Sequence, residues 1–281
     1  MRAGFHHGSL NLIVDKRAML NLWTPAFMTA FLYRLAPALF GLLALALWEG
    51  AVWYTEVPVY LVPGPRAVAA AFLADPGGLL TSLASTLLVT LVALIAAALL
   101  GGAMAVAMSA SRLAQAAIQP WAVVLQVTPI VAIAPLIIVW VGDPFASLVV
   151  CAMIVAFFPV FANTATGLAS APPELLDLFR LYGGGRWRTL TLLRLPAALP
   201  YFLTGLRISG GLALVGAVVA EFVAGSGGFA SGLAYRILEA GYRVQIPRMF
   251  AALALLSLTG IAINAGLDWF GRLILRARGS A

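Results

Sequence analysis

The stretch PPELLDLFRLYGGGRWRTLTLLRLP, residues 172–196, is the one long polar interruption in a chain that otherwise suits a lipid bilayer. Its first half carries large apolar side chains at the spacing i, i+3, i+4, i+7, which predicts one apolar face on a short helix: Leu175, Leu178, Phe179 and Tyr182. Such a helix is too short to cross a membrane, which takes about 20 apolar residues. We interpret the stretch as a docking element outside the bilayer.

The ends of this helix are marked by residue type. A proline at the first helical position, followed by Glu174 and Asp177, suits a helix N-terminus, where free N–H groups favour negative charge. Glycines 183–185 end the helix. A second short helix is predicted from Arg186, carrying Trp187, Leu190 and Leu193 before Leu195 and Pro196 close the segment. The alternative is a hairpin that only joins two spans, but a connector needs no exposed apolar face.

The order of residues in this stretch resembles the EAA loop of ATP-binding cassette (ABC) importer permeases. In that loop, Glu-Ala-Ala is followed by a glycine four residues after the second alanine and later by Ile-x-Leu-Pro. Here the corresponding positions hold Asp177, Leu178, Phe179, Gly183, Leu193, Leu195 and Pro196, so glycine and proline keep the family spacing. The opening Pro-Glu-Leu-Leu, residues 173–176, is similar to the start of the loop in the nitrate/sulfonate/taurine branch.

Composition excludes a soluble globular domain. Of the 281 residues, 63% are hydrophobic and only 10% are charged, and the mean hydropathy is +1.02. The single cysteine, Cys151, excludes an internal disulfide. The chain is therefore expected to be an all-α integral membrane protein.

Apolar runs predict six spans, with a cytoplasmic coupling loop, residues 172–196, between the fourth and the fifth. Residues 1–34 form a basic N-terminal tail and 35–281 the transmembrane permease domain. Pro37 interrupts the first span, and Pro120, Pro129 and Pro135 predict a kinked or broken third span. The predicted spans are 35–54, 80–108, 113–141, 146–171, 195–220 and 250–267.

The basic residues assign an orientation to these spans. The net charge is +7, and most basic residues fall in the tail, the turn at 109–112, the coupling loop and the C-terminus. Three lie in the opposite connections: Arg66, Arg236 and Arg243. By the positive-inside rule, both termini and the coupling loop are expected in the cytoplasm.

Polar residues at span depth are the candidates for a permeation path: Gln126, Thr128, Asn163, Arg207 and Glu221. Polar side chains such as Gln126 and Thr128 also hold helices together, and both readings stay open. Arg207 and Glu221 are the charged members, and they are too far apart to pair within one helix. Glu221 also suits helix packing or gating, since related permeases with other substrates carry a glutamate here.

The chain lacks the usual patterns of catalytic chemistry. It contains no Gly-x-x-x-x-Gly-Lys-Ser/Thr phosphate-binding loop, no His-Glu-x-x-His pattern and no cysteine pair, so neither an enzyme nor a metal site is expected. A gradient-driven secondary transporter or channel is the alternative class. Such a protein would require ionisable groups at mid-membrane for coupling, and the predicted second, third, fourth and sixth spans contain none.

The resemblance implies the transmembrane subunit of a bacterial inner-membrane ABC importer. Its implied partners are a second permease copy, two cytoplasmic ATPase subunits and an extracytoplasmic solute-binding protein. ATP and magnesium would be bound by the ATPases, and no cofactor by this chain. Similar permeases serve nitrate, sulfonates, taurine, bicarbonate or a thiamine-precursor pyrimidine, and the stretch LPYFLTGLR, residues 199–207, slightly favours the pyrimidine-like group.

Overall fold

In a computed structural model of the protein, the structure describes residues 16–225 and 231–279, with side chains from residue 35 onward. The regular structure of these ranges is helical. The helices are α1 (Lys16–Thr55), α2 (Pro65–Ala74), α3 (Pro76–Ser109), α4 (Arg112–Val127), α5 (Ile130–Val141), α6 (Pro144–Ala169), α7 (Pro173–Leu181), α8 (Arg186–Thr189), α9 (Leu195–Ala224), α10 (Leu233–Tyr242) and α11 (Ile246–Ala277).

Helix α1 belongs to a first unit, residues 1–57. It continues through Pro37, so the interruption expected there is absent. It also begins at Lys16, within the stretch assigned to the N-terminal tail, while residues 1–15 of that tail lie outside the described residues. Its part from Leu35 to Thr55 is long and apolar enough to cross a membrane.

The second unit, residues 58–281, holds the other spans. Helices α3 and α6, the helix from Arg186 to Ala224, and α11 each have the length and hydropathy of a span. Helices α4 and α5 pass the same test as a pair, bent by 103° at a short break, and form a sixth span when they are counted together. The six-span, all-helical fold predicted from the sequence is confirmed.

The break in the third span falls at one of its three prolines. Pro129 lies between α4 and α5 in an extended conformation, whereas Pro120 and Pro135 are inside helices. The Val124 carbonyl accepts two bonds at the end of α4, from the Thr128 N–H at 3.1 Å and from the Thr128 hydroxyl at 2.6 Å. The expected broken helix is therefore present, and Pro129 is where it breaks.

The core of the second unit is the packing of α6 against α9 and α3. Small residues allow these backbones to approach closely, as is usual between membrane helices. A Cβ added at Gly216 of α9 would lie 2.8 Å from the Cα of Ala152, and one at Gly205 would lie 2.7 Å from the Pro159 carbonyl oxygen. Across the same interface, the Ser209 hydroxyl donates to the Ala156 carbonyl at 2.5 Å.

The predicted closure of the docking stretch at Leu195 and Pro196 is not found. Helix α8 continues through a π-helical turn, Leu190–Arg194, directly into α9. In this turn the N–H of Leu195 donates to the carbonyl of Leu190, five residues earlier. A proline in a regular helix clashes with the carbonyl four residues before it, here that of Leu192, so the wider turn accommodates Pro196 without ending the helix.

Candidate functional site

Two adjacent glycines terminate α7 in a defined geometry. Gly183 has φ +68° and its N–H donates to the Arg180 carbonyl at 3.1 Å, while the Gly184 N–H donates to the Phe179 carbonyl at 2.7 Å. This pair of bonds is a Schellman motif, which favours glycine at the left-handed position. A Cβ on Gly184 would lie 2.7 Å from the Phe179 oxygen. Both positions therefore disfavour any other residue, each for a separate reason.

The predicted apolar face of α7 divides into an exposed part and a covered part. Leu175, Leu178 and Tyr182 are 42%, 48% and 81% exposed. Phe179 is half-buried, and its ring and carbonyl approach Gly184. We call the exposed apolar residues of α7 and α8 the docking surface: Leu175, Leu178, Leu181, Tyr182 and Trp187. Leu181 was missed from the sequence, although it follows Leu178 at a three-residue step.

Charged side chains surround the docking surface. Glu174 is exposed in the first turn of α7. Asp177 and Arg180 form an ion pair of 3.0 Å, and both side chains are more than 70% exposed. An exposed pair of this kind contributes about 0.2–1 kcal/mol at most to stability. Asp177 therefore remains accessible to a partner that offers a better-placed cation.

Glu221 is buried and holds the start of α10. Its Oε1 accepts from the Thr86 hydroxyl at 2.8 Å and its Oε2 accepts from the Ala234 N–H at 3.0 Å. The Thr86 oxygen in turn accepts from the Leu233 N–H at 2.9 Å. A carboxylate at a helix N-terminus satisfies free N–H groups and complements the helix dipole. Glu221 thus joins α3, α9 and α10 in one hydrogen-bonded group.

Arg207 lies between α9 and α11. Its Nε donates to the Asn264 Oδ1 at 3.2 Å and its Nη1 donates to the Asp268 Oδ1 at 2.9 Å. Arg272 forms an ion pair with the other oxygen of Asp268. These partners were missed from the sequence, although Asn264, Asp268 and Arg272 recur every four residues on one face of α11.

Of the remaining polar candidates, Asn163 and Thr128 form hydrogen bonds within their own helices. The Asn163 amide donates to the Pro159 carbonyl at 2.8 Å, and Thr128 donates to Val124 as described above. Gln126 is exposed. Within residues 35–225 and 231–279, the described contacts do not bring these three together with Arg207 and Glu221. Their assignment to a permeation path stays a prediction.

An ionic cluster at the far end of the second unit was not predicted. Glu239 accepts from Arg236 at 2.8 Å and pairs with Arg243 at 2.9 Å, and Arg236 also donates to the Ser82 hydroxyl at 3.0 Å. The hydrogen bond from Arg236, together with the nearby charges of Arg243 and Arg248, lowers the pKa of Glu239. This cluster ties α10 to the start of α3.

No three metal-ligating side chains come together in the part of the chain that the structure describes. The fold instead defines a multi-pass helical membrane protein with an exposed apolar helix between its fourth and fifth spans. The chain belongs to the family described as binding-protein-dependent transport system inner membrane component, whose profile matches residues 97–279. The protein is accordingly an ABC transporter permease, as the resemblance of its loop implied.

Three relatives align with this chain over more than 85% of their own length. A probable ABC transporter permease of Haemophilus influenzae is 35% identical, over 84% of this chain and 94% of its own. The riboflavin transport system permease of Chloroflexus aurantiacus is 34% identical, over 84% and 87%. The formylaminopyrimidine transport permease of Halalkalibacterium halodurans is 32% identical, over 86% and 95%. Further relatives include a putative aliphatic sulfonates permease of Bacillus subtilis and the taurine permease of Escherichia coli.

Among solved structures, a crystal structure of an amino acid ABC transporter with histidines superposes with a TM-score of 0.60. The match covers 72% of this chain and 97% of the other, at 18% identity. At this identity the likeness concerns the fold, and it supports the helical arrangement described above.

Proposed function

We propose that this chain is the transmembrane subunit through which separate ATPases drive uptake of a small solute. The observation that carries the proposal is the docking surface, a set of large apolar side chains left exposed on a helix outside the predicted spans. An apolar face displayed away from lipid suits a protein partner. The partner is an ABC ATPase on each side of a permease homodimer, and it binds the ATP and magnesium that this chain does not.

The connection of α7 to the spans supports a mechanical role. The helix from Arg186 to Ala224 runs without interruption from the docking surface into the fifth span. When the ATPases close on nucleotide, the cleft that holds α7 and α8 moves, and this continuous helix transmits the movement to the fifth span. Gly183 permits the turn between α7 and α8. Pro196 lies inside the transmitting helix and does not mark its start.

The orientation of the spans in the membrane is proposed from the distribution of basic residues. The loop 172–196 and both termini lie on the ATPase side, the cytoplasmic face of a bacterial inner membrane, because that side holds most of the basic residues. An extracytoplasmic binding protein delivers the solute at the opposite end, where α2 and α10 lie between the spans.

For the substrate we propose a small heterocycle of the thiamine-precursor pyrimidine type. Relatives named for formylaminopyrimidine and riboflavin are 32–34% identical over more than 80% of this chain, whereas the taurine permease is 28% identical over 77%. The test is ligand-induced thermal stabilisation of the cognate binding protein with formylaminopyrimidine, riboflavin, taurine, nitrate and bicarbonate. Stabilisation by taurine, nitrate or bicarbonate alone would reject the heterocycle.

The alternative is a transporter or channel driven by a gradient alone. The two readings differ in composition of the native complex, because only an importer retains a nucleotide-binding subunit. Purification in mild detergent should therefore recover a protein with a phosphate-binding loop in stoichiometric amount. Its consistent absence from active preparations would favour the gradient-driven reading.

Gly183→Glu tests the docking role within the importer. The substitution strains the left-handed turn at φ +68° and places a charge beside the docking surface. We expect normal membrane insertion but loss of ATP-dependent uptake in vesicles. Gly279→Glu is the matched control, since Gly279 has the same φ of +68° at the end of α11, outside the loop. Unchanged uptake in Gly183→Glu, or equal loss in Gly279→Glu, would contradict the docking role.

A further inference from the structure

Behind the docking surface lies a cavity of about 900 Å³. It is open on one side and is lined by the last turns of α3 and α6, the first turn of α4, parts of α7 and α8, and the π-helical turn after α8. Four arginines line it and no carboxylate does: Arg112, Arg180, Arg186 and Arg194. We call this space the arginine cavity.

Three of these arginines have no anionic partner in the described parts of the chain. Arg180 is paired with Asp177, but the described ion pairs and side-chain hydrogen bonds include none made by Arg112, Arg186 or Arg194. The Nε atom of Arg194 is moreover buried without a hydrogen-bond acceptor. A buried N–H left unsatisfied costs free energy, and like charges around one cavity repel. Both costs are removed by an anion.

We propose that the arginine cavity binds the phosphodiester group of an anionic phospholipid. Guanidinium groups recognise phosphate oxygens by paired, charge-assisted hydrogen bonds. Ser111 also lines the cavity, and its hydroxyl can donate to an anion while its oxygen accepts from the Ala114 N–H at 3.0 Å. The hydroxyls of Ser109 and Thr189 line it as well, but they donate to the carbonyls of Val106 and Gly185. The cavity shares Trp187 with the docking surface, but its four arginines are not among the residues that the resemblance assigned to ATPase coupling. The proposal rests on the proposed orientation, which places this end of the spans at the cytoplasmic leaflet.

The position of the cavity favours a lipid over a soluble phosphate. Helices α3 and α4 meet here at Ser109 and Arg112, the ends of two spans, where headgroups lie. The walls nearer the bilayer are apolar, formed by Ala105, Met108 and Leu168. Anionic headgroups bind basic pockets between membrane helices on the cytoplasmic side. A lipid phosphate in this place would contact α7 and α8 on one side and α3 and α4 on the other, and so hold the docking helix against the spans.

Native mass spectrometry of the full-length chain in detergent tests this site, with phosphatidylglycerol and phosphatidylcholine as probes. We expect tight binding of phosphatidylglycerol in preference to phosphatidylcholine. The double variant Arg112→Gln/Arg186→Gln, and separately Arg194→Gln, should weaken phosphatidylglycerol about tenfold or more, because each removes charge-assisted hydrogen bonds. Arg188→Gln is the matched control, since Arg188 is exposed on the same short helix but does not line the cavity.

Further measurements distinguish an anionic lipid from other occupants of the arginine cavity. Excess inorganic phosphate should not displace phosphatidylglycerol; displacement, or phosphate binding without lipid preference, would assign the cavity to a free phosphate and overturn the lipid. Equal affinity for both lipids, or equal weakening by Arg188→Gln, would also overturn it. If Arg112→Gln/Arg186→Gln instead leaves lipid binding intact and reduces recovery of the ATPase, the cavity belongs to the docking surface. Because lipid binding is measured without an ATPase, its result is independent of the uptake test on Gly183.

Discussion

Two helices of this protein end in the same hydrogen-bonding motif but carry different residues at its left-handed position. At the end of α7 the residue is Gly183, with φ +68°. At the end of α10 it is Val244, with φ +56°, where the Gln245 N–H donates to Ala240 and the Val244 N–H donates to Gly241. A left-handed conformation costs an L-residue about 1–2 kcal/mol, and a β-branched side chain is unusual there. The end of α10 therefore stores strain that the end of α7 does not.

Val244→Gly should stabilise the protein. Val244 is 60% exposed, so its removal loses little packing. Relief of about 1–2 kcal/mol of strain, less about 0.5–1 kcal/mol for the greater freedom of glycine in the unfolded chain, leaves a net gain of up to about 1.5 kcal/mol. The midpoint of thermal unfolding in detergent should rise. The reverse change, Gly183→Val, should lower it, and a fall in the midpoint for Val244→Gly would show that the left-handed turn is not strained.

At the scale of elements, polar and charged side chains hold α10 in place at its first turn and along its later part. Glu221 and Thr86 bind the N–H groups of its first turn, and the cluster around Glu239 links its later part to α3. The helix is short and follows a glycine-rich connection that includes residues outside the described range. Its position therefore depends on these polar contacts as well as on its buried residues, Leu233, Ala234 and Ala240.

Glu221→Ala should loosen α10. The change leaves the Ala234 N–H without its acceptor, and each buried polar group left unsatisfied costs about 1–3 kcal/mol. Hydrogen exchange of residues 233–242 should become faster. Glu221→Gln keeps an acceptor oxygen and should have a smaller effect, while Thr86→Val, which removes the acceptor for Leu233, should resemble Glu221→Ala. Unchanged hydrogen exchange in Glu221→Ala would show that Glu221 does not hold the first turn of α10 in place.

The pH dependence of the cluster follows from Glu239. Its folded-state pKa lies below the ordinary value of 4.5, so the carboxylate stabilises the fold fully above that value and loses its contribution as pH falls below it toward the folded pKa. Glu239→Gln removes this contribution. The difference in unfolding midpoint between the unmodified protein and the variant should be largest near neutral pH and should shrink as pH falls below 4.5. A difference in midpoint that grows on acidification would contradict the lowered pKa of Glu239.

The sequence predicts elements better than contacts between them. Uncharged runs bounded by charge determine the spans, and the glycines after Tyr182 predict the end of α7. Three prolines predicted a broken third span but could not locate the break, because a helix tolerates a proline where neighbouring bonds persist. The side-chain partners of Arg207 and Glu221 lie more than 50 residues away in sequence, and residue spacing reports only neighbours within one helix.

At the scale of the whole molecule, the fold suits transmission of movement. The tight packing of α6 against α9 makes the fourth and fifth spans a stiff pair, and the docking helices lie in the chain between them. A force applied to α7 therefore acts on both spans of this pair. Helices packed as closely as α6 and α9 move between discrete arrangements and do not deform continuously. Alternating access requires two such arrangements.

The central claim is that the docking surface contacts an ATPase, and site-directed cross-linking tests it most directly. The single natural cysteine, Cys151, is fully buried, so a cysteine introduced on the surface is the one available to reagent. Leu178→Cys and Tyr182→Cys in native membranes should each give an adduct with a protein that carries a phosphate-binding loop. Leu113→Cys is the control, since Leu113 is 81% exposed at the start of α4 and outside the docking surface. Absence of the adduct at both docking positions, or an equal yield at Leu113, would contradict the claim.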